Sequence, residues 1–258
     1  MNSQCHEKLK NNDYILGSWM QIPHPVCAEV MAHSGFDFLT VDIEHGAVDI
    51  ETATNIFRAI ETAGRNVTPM VRLPGNEYSV TKRYIDAGAK GVIIPLVNSK
   101  EDTKEAVRSA KYPPEGDRGV GFCRANLYGN NFDKYMETAN DDILVIVQIE
   151  HIKAIDNIED ILSTRGVDGA FIGPYDLSAS MGIPGKLDHP DMQESMKTVL
   201  ESCKKNNVAA GIHVVQPDIH EIGKRLDEGY KMIACSLDTV MLAYMCRSLQ
   251  GIHNKRKK

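Results

Sequence analysis

Short apolar runs recur along this chain, and unusual polar residues follow several of them directly. Phe38-Leu39-Thr40-Val41 leads into Asp42, Glu44 and His45, and Thr68-Pro69-Met70-Val71 leads into Arg72. Ile143-Leu144-Val145-Ile146-Val147 leads into Gln148 and Glu150, and Gly169-Ala170-Phe171-Ile172 into Gly173, Pro174 and Asp176. The pattern predicts strands over 15–20, 38–41, 68–71, 91–95, 143–147, 169–172, 209–212 and 232–236. Amphipathic helices are predicted over 27–33, 50–63, 78–87, 100–110, 152–163, 192–206, 217–228 and 239–249. Alternating strand and helix implies an α/β protein with a parallel sheet covered by helices. Eight repeats favour closure into a (β/α)8 TIM barrel, whose strand ends converge on one C-terminal rim.

Turn residues support this phasing. Gly35, Gly88 and Gly229 each follow a predicted helix and precede a strand, where glycine accepts the left-handed C-cap conformation. The length of 258 residues suits one such barrel. No linker or low-complexity tract divides the chain, so residues 1–258 are expected to form one domain. The segment 112–140 is longer than an ordinary connection; it reads as a lid or subunit contact at the active rim, or as a passive surface excursion.

Charge and composition narrow the functional class. A formal net charge of -6 argues against a nucleic-acid partner. The one basic cluster, Lys255-Arg256-Lys257-Lys258, reads as a solvated tail. No apolar run is long enough to cross a bilayer, and residues 1–13 carry no signal-peptide core. A cytoplasmic protein without a membrane partner is expected. The six cysteines show no close-pair spacing, which predicts free thiols rather than a zinc knuckle or redox pair.

The residues at the predicted rim admit a particular chemistry. Glu150 and Asp176, at the ends of neighbouring strands, suit a hard divalent cation such as Mg²⁺ or Mn²⁺, with open positions for substrate and water. The alternative is a pair of solvated carboxylates or helix caps. Arg72 would hold an anionic substrate or a developing oxyanion, or else pair with a rim carboxylate. His45 is a candidate for proton transfer, with a solvated histidine as the alternative. Asp86 would orient it, or face water at a helix end. The turn Gly173-Pro174-Tyr175-Asp176 offers backbone N–H groups to a carboxylate. No lysine ends a predicted strand, since Lys90 and Lys231 precede strands four and eight. That disfavours a Schiff-base aldolase. No dinucleotide fingerprint, P-loop or nucleophile elbow is present.

Four segments together resemble the HpcH/HpaI aldolases: 41–46 (Val-Asp-Ile-Glu-His-Gly), 112–119 (Tyr-Pro-Pro-Glu-Gly-Asp-Arg-Gly), 147–150 (Val-Gln-Ile-Glu) and 167–178, ending Gly-Pro-Tyr-Asp-Leu-Ser. That family includes 4-hydroxy-2-oxoheptanedioate and 2-dehydro-3-deoxyglucarate aldolases. The resemblance implies a (β/α)8 barrel, a homo-oligomer (a hexamer or trimer of dimers) with an exchanged C-terminal helix, and metal-dependent cleavage of a 4-hydroxy-2-oxo acid to pyruvate and an aldehyde. It implies Glu150 and Asp176 as ligands of Mg²⁺ or Mn²⁺, with Co²⁺ as a further candidate. Gln148 and the backbone of the 173–176 turn would contact the 2-oxo acid, Arg72 would stabilise the enolate-like state, and His45 would be the base supported by Asp86. Residues 124–129 resemble the loop that approaches a neighbouring active site. Tyr175 and the strand-eight end Ile233-Ala234-Cys235-Ser236-Leu237-Asp238 depart from the family pattern, which bears on the aldehyde. Two other readings keep the barrel: a citrate-lyase-like acyl lyase using a CoA thioester, and a metal- and ligand-binding barrel without turnover.

Overall fold

The structure, a computed structural model, describes residues 4–255, so the basic run lies outside them beyond Lys255. Eight parallel strands close in sequence order into one barrel: β1 (Ile15–Met20), β2 (Phe38–Asp42), β3 (Thr68–Arg72), β4 (Gly91–Ile94), β5 (Leu144–Ile149), β6 (Gly169–Ile172), β7 (Ala209–Val214) and β8 (Met232–Leu237). Every predicted strand is present, most of them a residue or two longer at the C-terminal end.

Between and around the strands run α1 (Gln4–Lys10), α2 (Pro25–Ala32), α3 (Ile50–Thr62), α4 (Tyr78–Asp86), α5 (Lys100–Ala110), α6 (Phe132–Asp142), α7 (Ile152–Asp156), α8 (Ile158–Leu162), α9 (Pro174–Ser180), α10 (Pro190–Asn206), α11 (Ile219–Glu228) and α12 (Asp238–Lys255). The helix predicted over 152–163 is two short helices parted at Asn157, whose φ of -107° leaves the helical range. Its side chain donates to Asn98 O at 2.9 Å. Helix starts follow local chemistry: Asp49, Ser99 and Asp218 each accept a backbone N–H of the first turn. Gly35, Gly88 and Gly229 all have positive φ, as the sequence phasing predicts. No helix among the described residues is long and apolar enough to cross a membrane.

Strand residues alternate between two cores. Leu39, Val71, Val145, Ile172 and Ile212 pack outward against the helices. Trp19, Phe38, Met70, Ile146, Phe171 and Met232 fill the barrel itself. Large rings fit there because facing positions are glycine. A Cβ on Gly17 would stand 2.4 Å from the Phe38 ring, and one on Gly211 would stand 2.5 Å from Phe171. Cys5 and Leu9 of α1 join the inner cluster. Lys8 Nζ donates to Asp37 Oδ1 at 2.6 Å just before β2, so α1 closes the N-terminal end of the barrel. The polar residues that end the strands therefore gather at the opposite, C-terminal rim.

The long segment 112–140 lies elsewhere than expected. It connects a helix end to a strand start, which puts it at the N-terminal rim and outer wall. It holds a 3-10 turn (Arg124–Gly129) and α6. Arg124 donates to Ala87 O and pairs with Glu61 at the end of α3. It is no lid over this chain's own strand ends.

Replacing Gly17 by alanine drives a methyl into Phe38 and should destabilise the protein by about 1–3 kcal/mol. Urea denaturation checks this, and an unchanged midpoint would refute the packing argument.

Candidate active site

The rim is organised by a buried ion pair. Asp42 and Arg72 are register partners at the ends of β2 and β3, in the same inward phase as Phe38 and Met70. Arg72 Nε donates to Asp42 Oδ1 at 2.9 Å and Nη2 to Oδ2 at 2.8 Å. Its Nη1 lies 3.0 Å from Glu44 Oε2. Asp42 is fully buried and Arg72 only 6 % exposed. Burial pushes the Asp42 carboxyl up, but the hydrogen bonds and charge of Arg72 outweigh it and hold the group below its ordinary value. Gln21 Nε2 adds a bond to Asp42 Oδ2 at 2.8 Å. The backbone N–H groups of Gln21 and Ile22 are in turn held by Asp238, at the start of α12. The Trp19 ring lies against the guanidinium, 4.1 Å from ring centroid to Cζ.

A second group sits across the mouth. Glu150, immediately after β5, is 4 % exposed. Its Oε1 accepts the Leu96 N–H at 2.7 Å, and its Oε2 accepts Gln148 Nε2. Burial, with the negative charges of Glu44 and Asp176, pushes its carboxyl up to about 7 against those two bonds. Glu44 is raised too, first by burial and then by Asp42 and Asp176, against the pull of Arg72. Glu44, Glu150 and Asp176 all lie just beyond C-terminal strand ends, of β2, β5 and β6, and so share the rim. Asp176 itself is exposed, in the first turn of α9. Gly173 packs tightly under both groups: a Cβ there would stand 2.9 Å from Glu150 Cβ and 3.1 Å from Gln148 Nε2, so only glycine lets the turn approach this closely. Gln148 Oε1 is buried without a partner. Among the described residues no three His, Cys, Asp or Glu side chains form a ready metal cage.

The remaining predicted residues divide. Pro174 is buried at the start of α9, and Tyr175 is half-exposed beside Asp176. His45 lies just beyond β2, its ring 61 % exposed and 4.0 Å from Glu44. Asp86 does not support it within one chain. The helices run back along the barrel, so α4 ends at the N-terminal rim, a strand's length from His45. There the Asp86 carboxylate accepts Arg118 Nη2 at 2.6 Å. Arg118 is buried against the rings of Tyr112 and Tyr135.

Asp42, Glu44, Trp19, Gln21 and His213 received no role from the sequence. Asp42 carried a readable signal: with Phe38 and Thr40 it shares the inward parity of its strand, so a charge there points into the mouth. Gln21, Trp19 and His213 join the group only through closure of β1 and β7 into the same ring.

Removing one partner of a buried pair leaves the other uncompensated, so Asp42→Ala should cost about 3 kcal/mol in stability. The sign with pH follows from the lowered carboxyl: the pair's full contribution is present above the ordinary aspartate range and is lost as pH falls through the lower folded value. Denaturation at neutral and acid pH checks both; equal stability of variant and parent at neutral pH would reject the pair as a structural requirement.

The model of the HpcH/HpaI aldolase/citrate lyase family matches residues 16–244. A hydroxypyruvate/pyruvate aldolase of Paraburkholderia phytofirmans is 37 % identical over 253 residues, 96 % of each chain. A 5-keto-4-deoxy-D-glucarate aldolase of Escherichia coli is 37 % identical over 224 residues, 86 % of each chain. The crystal structure of a family protein from Burkholderia cenocepacia superimposes with a TM-score of 0.93 at 35 % identity, covering 98 % of this chain and all of that one. A closed eight-stranded barrel with a buried Asp–Arg pair and a buried glutamate at its C-terminal rim, matched to these relatives along nearly its whole length, places the chain in the HpcH/HpaI aldolase/citrate lyase family of enzymes.

Proposed function

We propose that this chain is a divalent-metal-dependent aldolase that reversibly cleaves a 4-hydroxy-2-oxo acid to pyruvate and an aldehyde. The observation that carries the reading is Glu150. It is a buried carboxylate whose hydrogen-bond partners are neutral and whose charged neighbours include two further carboxylates. A cation relieves that repulsion, and Gly173, where a Cβ would collide with Glu150, lets the backbone of the 173–176 turn come close to that carboxylate. The residues therefore fit a bound Mg²⁺ or Mn²⁺, held by Glu150 and Asp176, with the remaining positions left to oxygen donors of substrate and water. Such a cation, when bound, acts as a Lewis acid on the 2-oxo group.

The chain's own groups supply the rest. Gln148 Nε2 donates one N–H to Glu150 and offers its second N–H to an oxygen of the 2-oxo acid. The Tyr175 and Asp176 N–H groups lie in the first turn of α9, where no intrahelical acceptor exists, and suit its carboxylate. In the cleavage direction His45 takes the proton from the 4-hydroxyl. The bond between carbons 3 and 4 then breaks, and its electron pair moves into the enolate of pyruvate. Arg72, with its edge fixed on Asp42, retains N–H groups to donate to the enolate oxygen. Protonation at carbon 3 yields the methyl group of pyruvate.

Pyruvate methyl protons followed by NMR in D₂O should exchange in the presence of Mg²⁺ or Mn²⁺. The exchange should stop with a chelator and in Glu150→Gln. Absence of exchange with every metal would reject the enolate chemistry. Arg72→Ala should lose at least about 100-fold in turnover, or about 2.7 kcal/mol of barrier, if Arg72 acts as an oxyanion donor. A near-parental rate in that variant would remove the role.

A further inference from the structure

Arg72 is fixed along its edge by Asp42 and Glu44, but an edge alone leaves the guanidinium free to tilt. Its face rests on Trp19, 4.1 Å from the ring centroid. Trp19 has an unusual feature of its own. Its ring is buried, yet the indole N–H has no hydrogen-bond partner. No polar bond sets the angle of the indole, so its neighbouring rings must do so. Phe171 is tilted at 36° with centroids 5.7 Å apart. His213 is stacked at 28° with centroids 4.7 Å apart.

His213 is itself held firmly. Its Nε2 lies 3.1 Å from Ser236 O. A carbonyl only accepts, so Nε2 carries the proton. Ser236 sits at φ 59°, where the pairing of β1 with β8 shifts register between Gly17 and Trp19. Bulges of this kind re-aim side chains near active sites. Ser236 is pinned by its Oγ donating to Val215 O at 2.8 Å, and its carbonyl also accepts Ser18 Oγ at 3.1 Å. The imidazole is thus a flat plate anchored to the bulge and pressed on the indole. Burial, assisted by the charge of Arg72, lowers its pKa to about 4. It therefore stays neutral and does not repel the guanidinium on the Trp19 ring.

We propose that His213 is a positioning residue that acts through the stacked indole of Trp19 to hold the Arg72 guanidinium at the tilt from which its remaining N–H groups meet the reacting oxygen. The catalytic consequence rests on the enolate reading above; the mechanical one does not. Trp19 is the only tryptophan in the chain, so its emission reports the stack directly.

The test compares His213→Leu, which keeps bulk but loses the flat ring, with His213→Phe, which keeps the ring. The full chain is used with Mn²⁺ and pyruvate. His213→Leu should lower the maximal proton-exchange rate about tenfold, with the pyruvate KM moving by less than about twofold. It should also shift Trp19 emission and the ring-current-displaced Nε–H resonance of Arg72. His213→Phe should recover most of the rate and both signals; Ser236 O keeps its Ser18 donor in either variant. In an Arg72→Lys background, His213→Leu should cost little more, because coupled residues are not additive. A full tenfold loss in that background, or an unchanged rate despite altered Trp19 emission, overturns the proposal. So does failure of His213→Phe to recover the rate. If the parent protein exchanges no protons with any metal, the enolate reading fails. The emission and Arg72 resonance, which need no turnover, then decide the stack by themselves: shifted signals in His213→Leu support it and unshifted ones overturn it.

Discussion

The bidentate pair between Asp42 and Arg72 is the constraint on which the rim depends. A guanidinium this deeply buried is tolerable only where its donors are met and its charge is balanced. Parallel register supplies the match, because it sets the two residues side by side at the ends of β2 and β3. From that pair the order spreads outward. Gln21 ties Asp42 to the β1–α2 connection, and Asp238 ties that connection to the start of α12. The first and last thirds of the chain thus meet at one carboxylate, and Arg72 is presented with only part of its hydrogen-bonding capacity spent.

Charge across the mouth is deliberately unequal. On the β2–β3 side Arg72 compensates Asp42 and lies against Glu44. On the β5–β6 side Glu150 has neutral donors only, and Asp176 adds to the negative field. One wall therefore offers a fixed cation and the other lacks one. An anionic 2-oxo acid bridging a metal and an arginine would balance both walls at once, which is the electrostatic sense of the proposed reaction. Beneath them the barrel interior is apolar and filled, since Gly17 and Gly211 give up their side-chain volume to Phe38 and Phe171. A packed floor keeps bulk water from entering the site along the barrel axis.

Much of the fold was legible because its signals are local. Strand periodicity and glycines after helices each act within a few residues, and the eight strands follow from them. Glu150, Asp176, Arg72 and Gln148 were legible for the same reason: each directly follows or ends an apolar run. Asp86 was less legible: its position at a helix end says which rim it occupies only once the direction of the helix is taken into account, and within one chain that rim is the one away from His45. For the segment 112–140 only the lid at the active rim falls, since length marks an unusual connection but not the rim to which it belongs.

By itself the sequence determined the alternation of strand and helix, the inward parity of each strand and the set of polar residues delivered to the strand ends. These depend on side-chain period and backbone propensity, which neighbouring residues suffice to specify. Only the tertiary structure decided which of those groups meet. Closure of β1 onto β8 brought Ser18 to Ser236 and Trp19 to Leu237, and ring geometry stacked His213 on Trp19 and Trp19 on Arg72. The run of α4 back along the barrel set Asp86 beside Arg118 within the chain. Such contacts join residues up to 218 positions apart. Their partners are chosen by shear and packing of the whole barrel, to which no local stretch of sequence has access.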